Sequence, residues 1–273
     1  MTDTFRTCEV SKPSFTPKNL TLVTVKSKHL NGRADMLILN QQTQTASAPV
    51  VILLHGVYGS HWAWQYSVGI EQSLMSLQKE HQQLSDFVIV MPSDGLFGDG
   101  SAYLPIAGHG NYEQWVVEDV VNACQQVVKN VDDNSSIYIS GLSMGGYGAL
   151  RLGCKFPEVF SAISAHSAIT HLDEMALFVE EDLSLYQKGN EQNAEITYWL
   201  EKNREKLPPF RFDCGVDDPL IIGNRKFESY LKQHKYHYQY QEFSGGHEFE
   251  YWAEHVQKSL LFFDQIEKKN RLK

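Results

Sequence analysis

Ser143 lies in the stretch GLSMG at 141–145, with one glycine two residues before the serine and another two residues after it. A serine hydroxyl attacks a carbonyl carbon at neutral pH only when a base takes its proton and a third group orients that base. The apolar run IYI at 137–139 precedes the motif, and a helical pattern that opens with small residues follows it. Such a strand-to-helix turn exposes the hydroxyl, and glycines let the strand and helix approach each other. The pattern therefore predicts a nucleophilic serine.

His247 is the candidate base. It stands out among eleven histidines because it follows the glycines at 245–246, directly after a strand pattern and just before a helical one. The carboxyl ends of parallel strands meet at one edge of a sheet, so a loop in this position can bring an imidazole to the serine. The alternative is a capping or surface histidine.

Two aspartates, Asp217 and Asp218, follow the strand pattern PFRFDCG at 209–215 and are candidates for the orienting acid. A tight turn at Gly215 would aim Asp218 back toward His247, whereas Asp217 can instead cap the helix that follows. We favour Asp218. The chain order serine, acid, histidine is also an order that this kind of site uses.

An acyl-transfer site needs N–H donors for the negative charge that develops on the carbonyl oxygen. The backbone N–H of Met144, in the first turn of the helix after the serine, is the first candidate. The N–H of Val57, in the loop after the apolar run VVILL at 50–54, is the second. We interpret His55 in the same loop as a structural anchor.

The elements that must position these groups alternate along the chain. Short apolar runs within PVVILLHG at 49–56, DFVIVMPSDG at 86–95, SSIYISG at 135–141 and FSAISAHS at 160–167 are typical of strands buried on both faces. Helical patterns at 72–83, 113–130, after Ser143 and at 250–268 separate or follow the strand patterns, which predicts an α/β fold with a mostly parallel sheet. The first fifty residues predict two antiparallel strands. We predict one domain over 1–273, with a helical, cap-like insertion at about 169–208.

Composition excludes several classes of function. The formal net charge of −9 disfavours a nucleic-acid partner, and no apolar segment is long enough to span a membrane. Four widely spaced cysteines and the lack of a secretory signal predict a cytoplasmic protein with reduced thiols. We predict no cofactor and no metal, because Asp94 and Asp99 lack a third ligand. The expected partner is a small-molecule ester, and the sequence leaves homo-oligomer formation open.

The stretches LLHGVYG, GLSMGGYGAL, CGVDD and GGHEFEYW resemble the esterase D group of α/β-hydrolases over about 49–263. This group includes S-formylglutathione hydrolases, tributyrin-type carboxylesterases, feruloyl esterases and mycolyltransferases. The resemblance implies an α/β-hydrolase fold and a serine carboxylesterase for short-chain esters. It also implies a triad of Ser143, Asp218 and His247, with Val57 and Met144 as oxyanion donors.

One departure from the group concerns the loop GVYGSHWAW at 56–64, which lacks the GLT stretch and neighbouring thiol expected of an S-formylglutathione hydrolase. The alternatives are a thioesterase of that type, an acyltransferase to an alcohol or sugar, and a non-catalytic binding protein on the same scaffold. Four aromatic residues are candidate substrate contacts: Trp62, Trp64, Tyr103 and Tyr112. Five residues of the insertion could face an acyl group, although packing onto the sheet is the favoured interpretation: Met175, Leu177, Phe178, Leu183 and Tyr186.

Overall fold

A computed structural model describes residues 5–189 and 191–272 of the chain. The strands of the described residues are β1 (Cys8–Val10), β2 (Leu20–Lys26), β3 (Arg33–Leu39), β4 (Val50–Leu54), β5 (Val88–Pro92), β6 (Pro105–Ile106), β7 (Gly110–Asn111), β8 (Ile137–Leu142), β9 (Ala162–His166), β10 (Phe210–Gly215) and β11 (Gln239–Phe243). Nine of them form one sheet in the order β1-β2-β3-β5-β4-β8-β9-β10-β11, and β6 pairs with β7.

The sheet changes character along its width. Strands β1, β2 and β3 are antiparallel to one another, and β3 is antiparallel to β5. From β5 through β11 each neighbouring pair is parallel. Strand β4 is buried at every position, which is expected of a central strand covered on both faces. The predicted antiparallel start and parallel centre are confirmed, and β1 is an additional strand that the sequence reading missed.

The helices of the described residues are α1 (Ile70–Glu80), α2 (Tyr112–Gln114), α3 (Val121–Val127), α4 (Met144–Lys155), α5 (Ser184–Gln187), α6 (Ile196–Lys202), α7 (Ile221–Gln233) and α8 (Phe249–Arg271). A π-helical stretch, Trp115–Val120, joins α2 to α3, and another, Trp64–Val68, precedes α1. Two apolar clusters cover the two faces of the sheet. Residues of α1 and α8 belong to one cluster, and residues of α3, α4, α6 and α7 belong to the other.

The segment between β9 and β10 includes residues 169–208, for which the sequence predicts a cap-like insertion. It has a 3₁₀ helix at Leu172–Leu177, then α5 and α6, and a further 3₁₀ turn at Arg204–Lys206. Met175, Tyr186 and Leu200 of this segment are fully buried in the same apolar cluster as α4. Most apolar residues of this segment therefore pack into the core cluster that covers one face of the sheet.

None of the helices in residues 5–189 and 191–272 has the length and apolarity that crossing a bilayer requires. All four cysteines are free thiols, and Cys124, Cys154 and Cys214 are buried. Burial raises the pKa of the Cys124 thiol to about 12, which makes it a poor nucleophile.

Candidate active site

Ser143 occupies the turn between β8 and α4 in a strained backbone conformation, with φ 54° and ψ −120°. This left-handed φ is unusual for a residue with a side chain. A Cβ at Gly141 would lie 2.1 Å from the carbonyl oxygen of Gly145, and a Cβ at Gly145 would lie 2.2 Å from that of Leu54. Both glycines of the motif are therefore required by backbone contacts, which hold strand and helix close enough to form the turn.

The imidazole of His247 bridges Ser143 and Asp218. Its Nε2 lies 2.9 Å from Ser143 Oγ, and its Nδ1 lies 2.9 Å from Asp218 Oδ2. An ionised carboxylate only accepts hydrogen bonds, so Nδ1–H donates to Asp218. The unprotonated Nε2 then accepts from the serine hydroxyl. This tautomer is the one in which an imidazole can take a proton from a serine.

Asp218 and Asp217 differ in burial and in contact with the histidine: Asp218 is buried and hydrogen-bonded to His247, whereas Asp217 is exposed. The Asp218 side chain is buried, and its second oxygen accepts the backbone N–H of Leu220 at 2.8 Å. Asp217 is exposed, although its backbone N–H donates to the carbonyl oxygen of Gly245 at 3.1 Å. That backbone hydrogen bond joins the acid loop to the histidine loop and so helps to fix the distance from Asp218 to His247.

The loop after β4 brings Val57 to the wall of the cavity beside Ser143. Among the hydrogen bonds of residues 5–189 and 191–272, none uses the backbone N–H of Val57. Met144 is the first residue of α4, where a backbone N–H has no acceptor within the helix. Tyr58, next to Val57, has a left-handed φ of 59°, and its N–H donates to the carbonyl oxygen of Asp99 at 2.8 Å.

His55 anchors this loop and does not contact the serine. Its Nε2 accepts the backbone N–H of Asp94 at 2.9 Å, so its Nδ1 carries the hydrogen that is donated to the carbonyl oxygen of Gly56 at 2.7 Å. The hydroxyl of Tyr103 donates to the carbonyl oxygen of His55 at 2.9 Å. These contacts agree with a structural role for His55.

A cavity of about 200 Å³ opens beside Ser143. Its lining is mainly apolar and aromatic: Gly56, Val57, Tyr58, Gly59, Ala63, Leu142, Ser143, Phe178, His247, Glu248, Phe249 and Trp252. The ring of Phe178 stacks on the His247 imidazole, with centroids 5.2 Å apart and planes 25° apart. The indole of Trp252 meets the same imidazole edge-on at 5.0 Å. Two aromatic side chains therefore hold the imidazole from different sides.

The four aromatic residues predicted to contact substrate are not among the residues that line this cavity. Trp64 is buried and donates its indole N–H to the carbonyl oxygen of Leu54 at 3.0 Å. Tyr103 is buried against His55, and Tyr112 is a buried member of the core. Trp62 is 40% exposed but lies outside the lining. Buried aromatic residues with a polar atom need a hydrogen-bond partner, and for Trp64 and Tyr103 that partner is a backbone carbonyl rather than a ligand.

Most residues of the cavity wall are not among the predicted site residues. Tyr58 and Ala63 lie in the loop that carries Val57, and Phe249 and Trp252 follow His247 within five residues. Their position next to predicted site residues was the available signal. Of the five insertion residues considered for an acyl contact, Phe178 alone is in the lining of this cavity, while Met175 and Tyr186 are buried and Leu177 is exposed.

A second polar array lies in the core, behind the serine. His166 Nδ1 is 3.0 Å from Asp213 Oδ1, and His166 Nε2 is 2.7 Å from Ser259 Oγ. Arg211 and Tyr251 donate to Asp213 at 2.7 Å and 2.9 Å. Burial acts to raise the pKa of Asp213, but the attraction of His166 and Arg211 outweighs it and lowers the pKa to about 2. The array is fully buried and therefore closed to substrate.

A strained serine at the carboxyl end of a central parallel strand, aligned with a histidine and an aspartate from later loops, defines a serine hydrolase of the α/β-hydrolase fold. The chain belongs to the Esterase family, whose model, described as "Putative esterase", matches residues 27–263. It is therefore an enzyme that hydrolyses carboxylic esters.

Similar proteins agree with this assignment. An acetyl esterase of Caldicellulosiruptor saccharolyticus is 25% identical over an alignment of 232 residues that covers 78% of this chain and 82% of that protein. The structure of a ferulic acid esterase superposes with a TM-score of 0.79 at 24% identity, covering 92% of this chain and 100% of the other. FphF, a fluorophosphonate-binding serine hydrolase of Staphylococcus aureus, superposes with a TM-score of 0.74 at 20% identity, covering 90% and 98%. The two structures establish the shared fold.

Proposed function

We propose that this protein hydrolyses small carboxylic esters through an acyl-enzyme on Ser143, with His247 as general base and Asp218 as its orienting acid. The observation that carries the proposal is the pair of 2.9 Å hydrogen bonds that joins the three side chains in line. A serine nucleophile needs these two partners at hydrogen-bond distance.

In the acylation step, His247 Nε2 takes the hydroxyl proton while Ser143 Oγ attacks the carbonyl carbon of the ester. The backbone N–H groups of Val57 and Met144 donate to the carbonyl oxygen as it becomes negative. The carbon–oxygen bond to the leaving group then breaks, and His247 gives its proton to the departing alcohol. Asp218 stabilises the imidazolium that exists between these proton transfers.

In the deacylation step, His247 takes a proton from a water molecule, and the resulting hydroxide oxygen attacks the acyl carbon. The bond to Ser143 Oγ breaks, the serine recovers its proton from His247, and the carboxylic acid leaves. Each cycle consumes one ester and one water and returns the enzyme unchanged.

The size and lining of the cavity favour a short acyl group. A volume of about 200 Å³ is smaller than the roughly 300–1,000 Å³ of sites for drug-sized ligands. Tyr58 and Phe249 are 65% and 42% exposed, so they mark the side from which an ester enters and an alcohol leaves. The name of the acetyl esterase relative points in the same direction.

We also propose a cellular location and a domain organisation for this protein. The four free cysteines support a cytoplasmic location, where thiols stay reduced. The continuous nine-stranded sheet supports a single α/β-hydrolase domain with an insertion at about 169–208.

Replacing Ser143 with alanine tests the proposal. We expect Ser143→Ala to lose hydrolysis of p-nitrophenyl acetate and labelling by a fluorophosphonate probe, with thermal unfolding unchanged. Ser229→Ala is the matched control, since Ser229 is an exposed residue of α7 and should keep full activity. Retained hydrolysis or labelling in Ser143→Ala would remove this serine from the mechanism.

A further inference from the structure

The short segment 178–181 follows the 3₁₀ helix Leu172–Leu177. It contacts His247 and also the loop around Asp99. We call it the cap tip. Its first residue, Phe178, lies against the imidazole of His247, and its last two residues are hydrogen-bonded to the loop around Asp99. That loop in turn accepts a hydrogen bond from the residue after Val57. The same four residues therefore reach both the base and the oxyanion loop.

The contact with the base is a stacked one. The Phe178 ring lies nearly parallel to the imidazole, with ring centroids 5.2 Å apart. The indole of Trp252 contacts the imidazole edge-on, with centroids 5.0 Å apart. Aromatic pairs in these geometries attract each other beyond the effect of their buried area alone. The histidine loop carries two glycines just before His247, so its backbone conformation alone restrains the ring weakly. Both aromatic side chains contact the imidazole in the orientation that places its Nε2 2.9 Å from Ser143 Oγ.

The contact with the oxyanion loop runs through Asp99. The backbone N–H of Glu180 donates to Asp99 Oδ2 at 2.9 Å, and the backbone N–H of Asp99 donates to Glu181 Oε1 at 3.1 Å. The carbonyl oxygen of Asp99 accepts the N–H of Tyr58 at 2.8 Å. Tyr186, further along the insertion, adds a hydrogen bond from its hydroxyl to the carbonyl oxygen of Gly100 at 2.8 Å.

This hydrogen-bonded connection ends one residue from a proposed oxyanion donor. Tyr58 has a left-handed φ, a conformation that a residue with a side chain keeps only where its surroundings fix it, and the carbonyl oxygen of Asp99 is one such contact. A carboxylate accepts hydrogen bonds more strongly than a neutral group, so the Glu181 carboxylate holds the backbone N–H of Asp99, and the Asp99 carboxylate holds the backbone N–H of Glu180. A shift of about 1 Å in a catalytic group can cost on the order of a hundredfold in rate.

We propose that the cap tip is a positioning element of the catalytic centre: Phe178 holds the imidazole of His247, and Glu181 with Asp99 holds the loop that presents Val57. This inference rests on the proposed function, since it assigns residues that act through the triad and the oxyanion donors. It predicts that both contacts contribute to kcat and little to KM, because they orient catalytic groups more than they bind substrate.

Paired substitutions at Phe178 test the contact with the base. We expect Phe178→Leu, which keeps apolar bulk without a ring, to lower kcat about tenfold. Phe178→Tyr keeps the ring and should restore most of the rate. Leu177→Ala is the neighbouring control, because Leu177 is 63% exposed and is not part of the cavity lining. It should stay within about twofold of the parent.

Paired substitutions at Glu181 test the hydrogen-bonded connection. Glu181→Ala removes the acceptor for the Asp99 N–H and should lower kcat about tenfold. Glu181→Gln keeps an oxygen acceptor and should recover most of the rate. Glu205→Ala is the matched control: it removes the same charge from an exposed side chain of the same insertion that is not part of the cap tip, and it should stay within about twofold of the parent.

The readout is kcat and KM for p-nitrophenyl acetate per active site, with sites counted by fluorophosphonate labelling run to completion. Counting sites separates slow folded enzyme from unfolded protein. Loss of kcat in Phe178→Leu and Glu181→Ala, with recovery in Phe178→Tyr and Glu181→Gln, supports the proposal. Rates equal to the controls, or no recovery in the conservative variants, overturn it. Labelling of Ser143→Ala would instead overturn the proposed function itself, so the two failures are distinguishable.

Discussion

The backbone N–H of Ser143 donates to the carbonyl oxygen of His166 at 3.0 Å. His166 ends β9, and its imidazole lies between Asp213 of β10 and Ser259 of α8. The strained turn that carries the serine is therefore attached to the residue at the centre of the buried polar array. This attachment connects the stability of the core to the geometry of the candidate active site.

Asp213→Asn should destabilise the protein strongly. The substitution leaves the buried Arg211 guanidinium without its carboxylate partner, and breaking a buried ion pair in this way costs about 3–5 kcal/mol. Urea unfolding followed by circular dichroism measures the loss. Asp217→Asn, at an exposed aspartate four residues along the chain, is the control and should leave the free energy of unfolding within about 0.5 kcal/mol. Equal stabilities of the two variants would contradict the prediction.

The contribution of Asp213 should also depend on pH with a definite sign. Its pKa is lowered from 3.8 to about 2, so the folded state favours the ionised carboxylate. This contribution is present above pH 3.8 and is lost as the pH falls toward 2, and the shift corresponds to about 2 kcal/mol. The difference in unfolding free energy between the parent and Asp213→Asn should therefore shrink between pH 6 and pH 3. A difference that stays constant or grows over this range would show that the carboxylate is not stabilised in the folded state.

Much of the fold could be predicted from the sequence because its signals are local. The apolar runs predicted within 49–56 and 135–141 correspond to β4 and β8, and the glycines around Ser143 mark the turn between β8 and α4. The buried array could not be predicted, since Asp213 and His166 sit in runs that otherwise look like ordinary core strands. The pairing of β9 with β10, opposite α8, brings them together, and one sequence does not show that pairing.

The cavity wall was harder to predict than the triad. Turns with neighbouring glycines predict Ser143 and His247. Aromatic residues occur both in the core and in the site, so their presence in the sequence does not distinguish the two. Trp64 and Phe178 illustrate this: both are aromatic residues in segments near the site, but the indole of Trp64 turns inward to a carbonyl of β4, while the ring of Phe178 lies on the imidazole. The three-dimensional path of each segment, after β4 for Trp64 and between β9 and β10 for Phe178, decides which aromatic side chain lies at the site.

Asp218→Asn should lower kcat by about 10⁴-fold, because the amide can present an N–H to His247 and so favour the wrong imidazole tautomer. The same change at Asp217 should alter kcat by less than about twofold, since Asp217 contributes its backbone and not its side chain to the hydrogen bond with Gly245. Steady-state kinetics with p-nitrophenyl acetate at neutral pH compares the two. A larger loss in Asp217→Asn would reverse the assignment of the orienting acid.

The cavity volume sets a preference among acyl groups. For p-nitrophenyl esters of increasing chain length, we expect kcat/KM to be highest for acetyl or propionyl esters and to fall once the chain exceeds the cavity of about 200 Å³. Ala63 lies in the wall and is buried, so Ala63→Leu should shift the preference further toward acetyl and lower kcat/KM for butyryl esters about tenfold. Ala107→Leu, which makes the same change at an exposed loop position, should leave the whole series unchanged. If Ala63→Leu alters all esters equally, the acyl group lies elsewhere, because a filled cavity must discriminate by length.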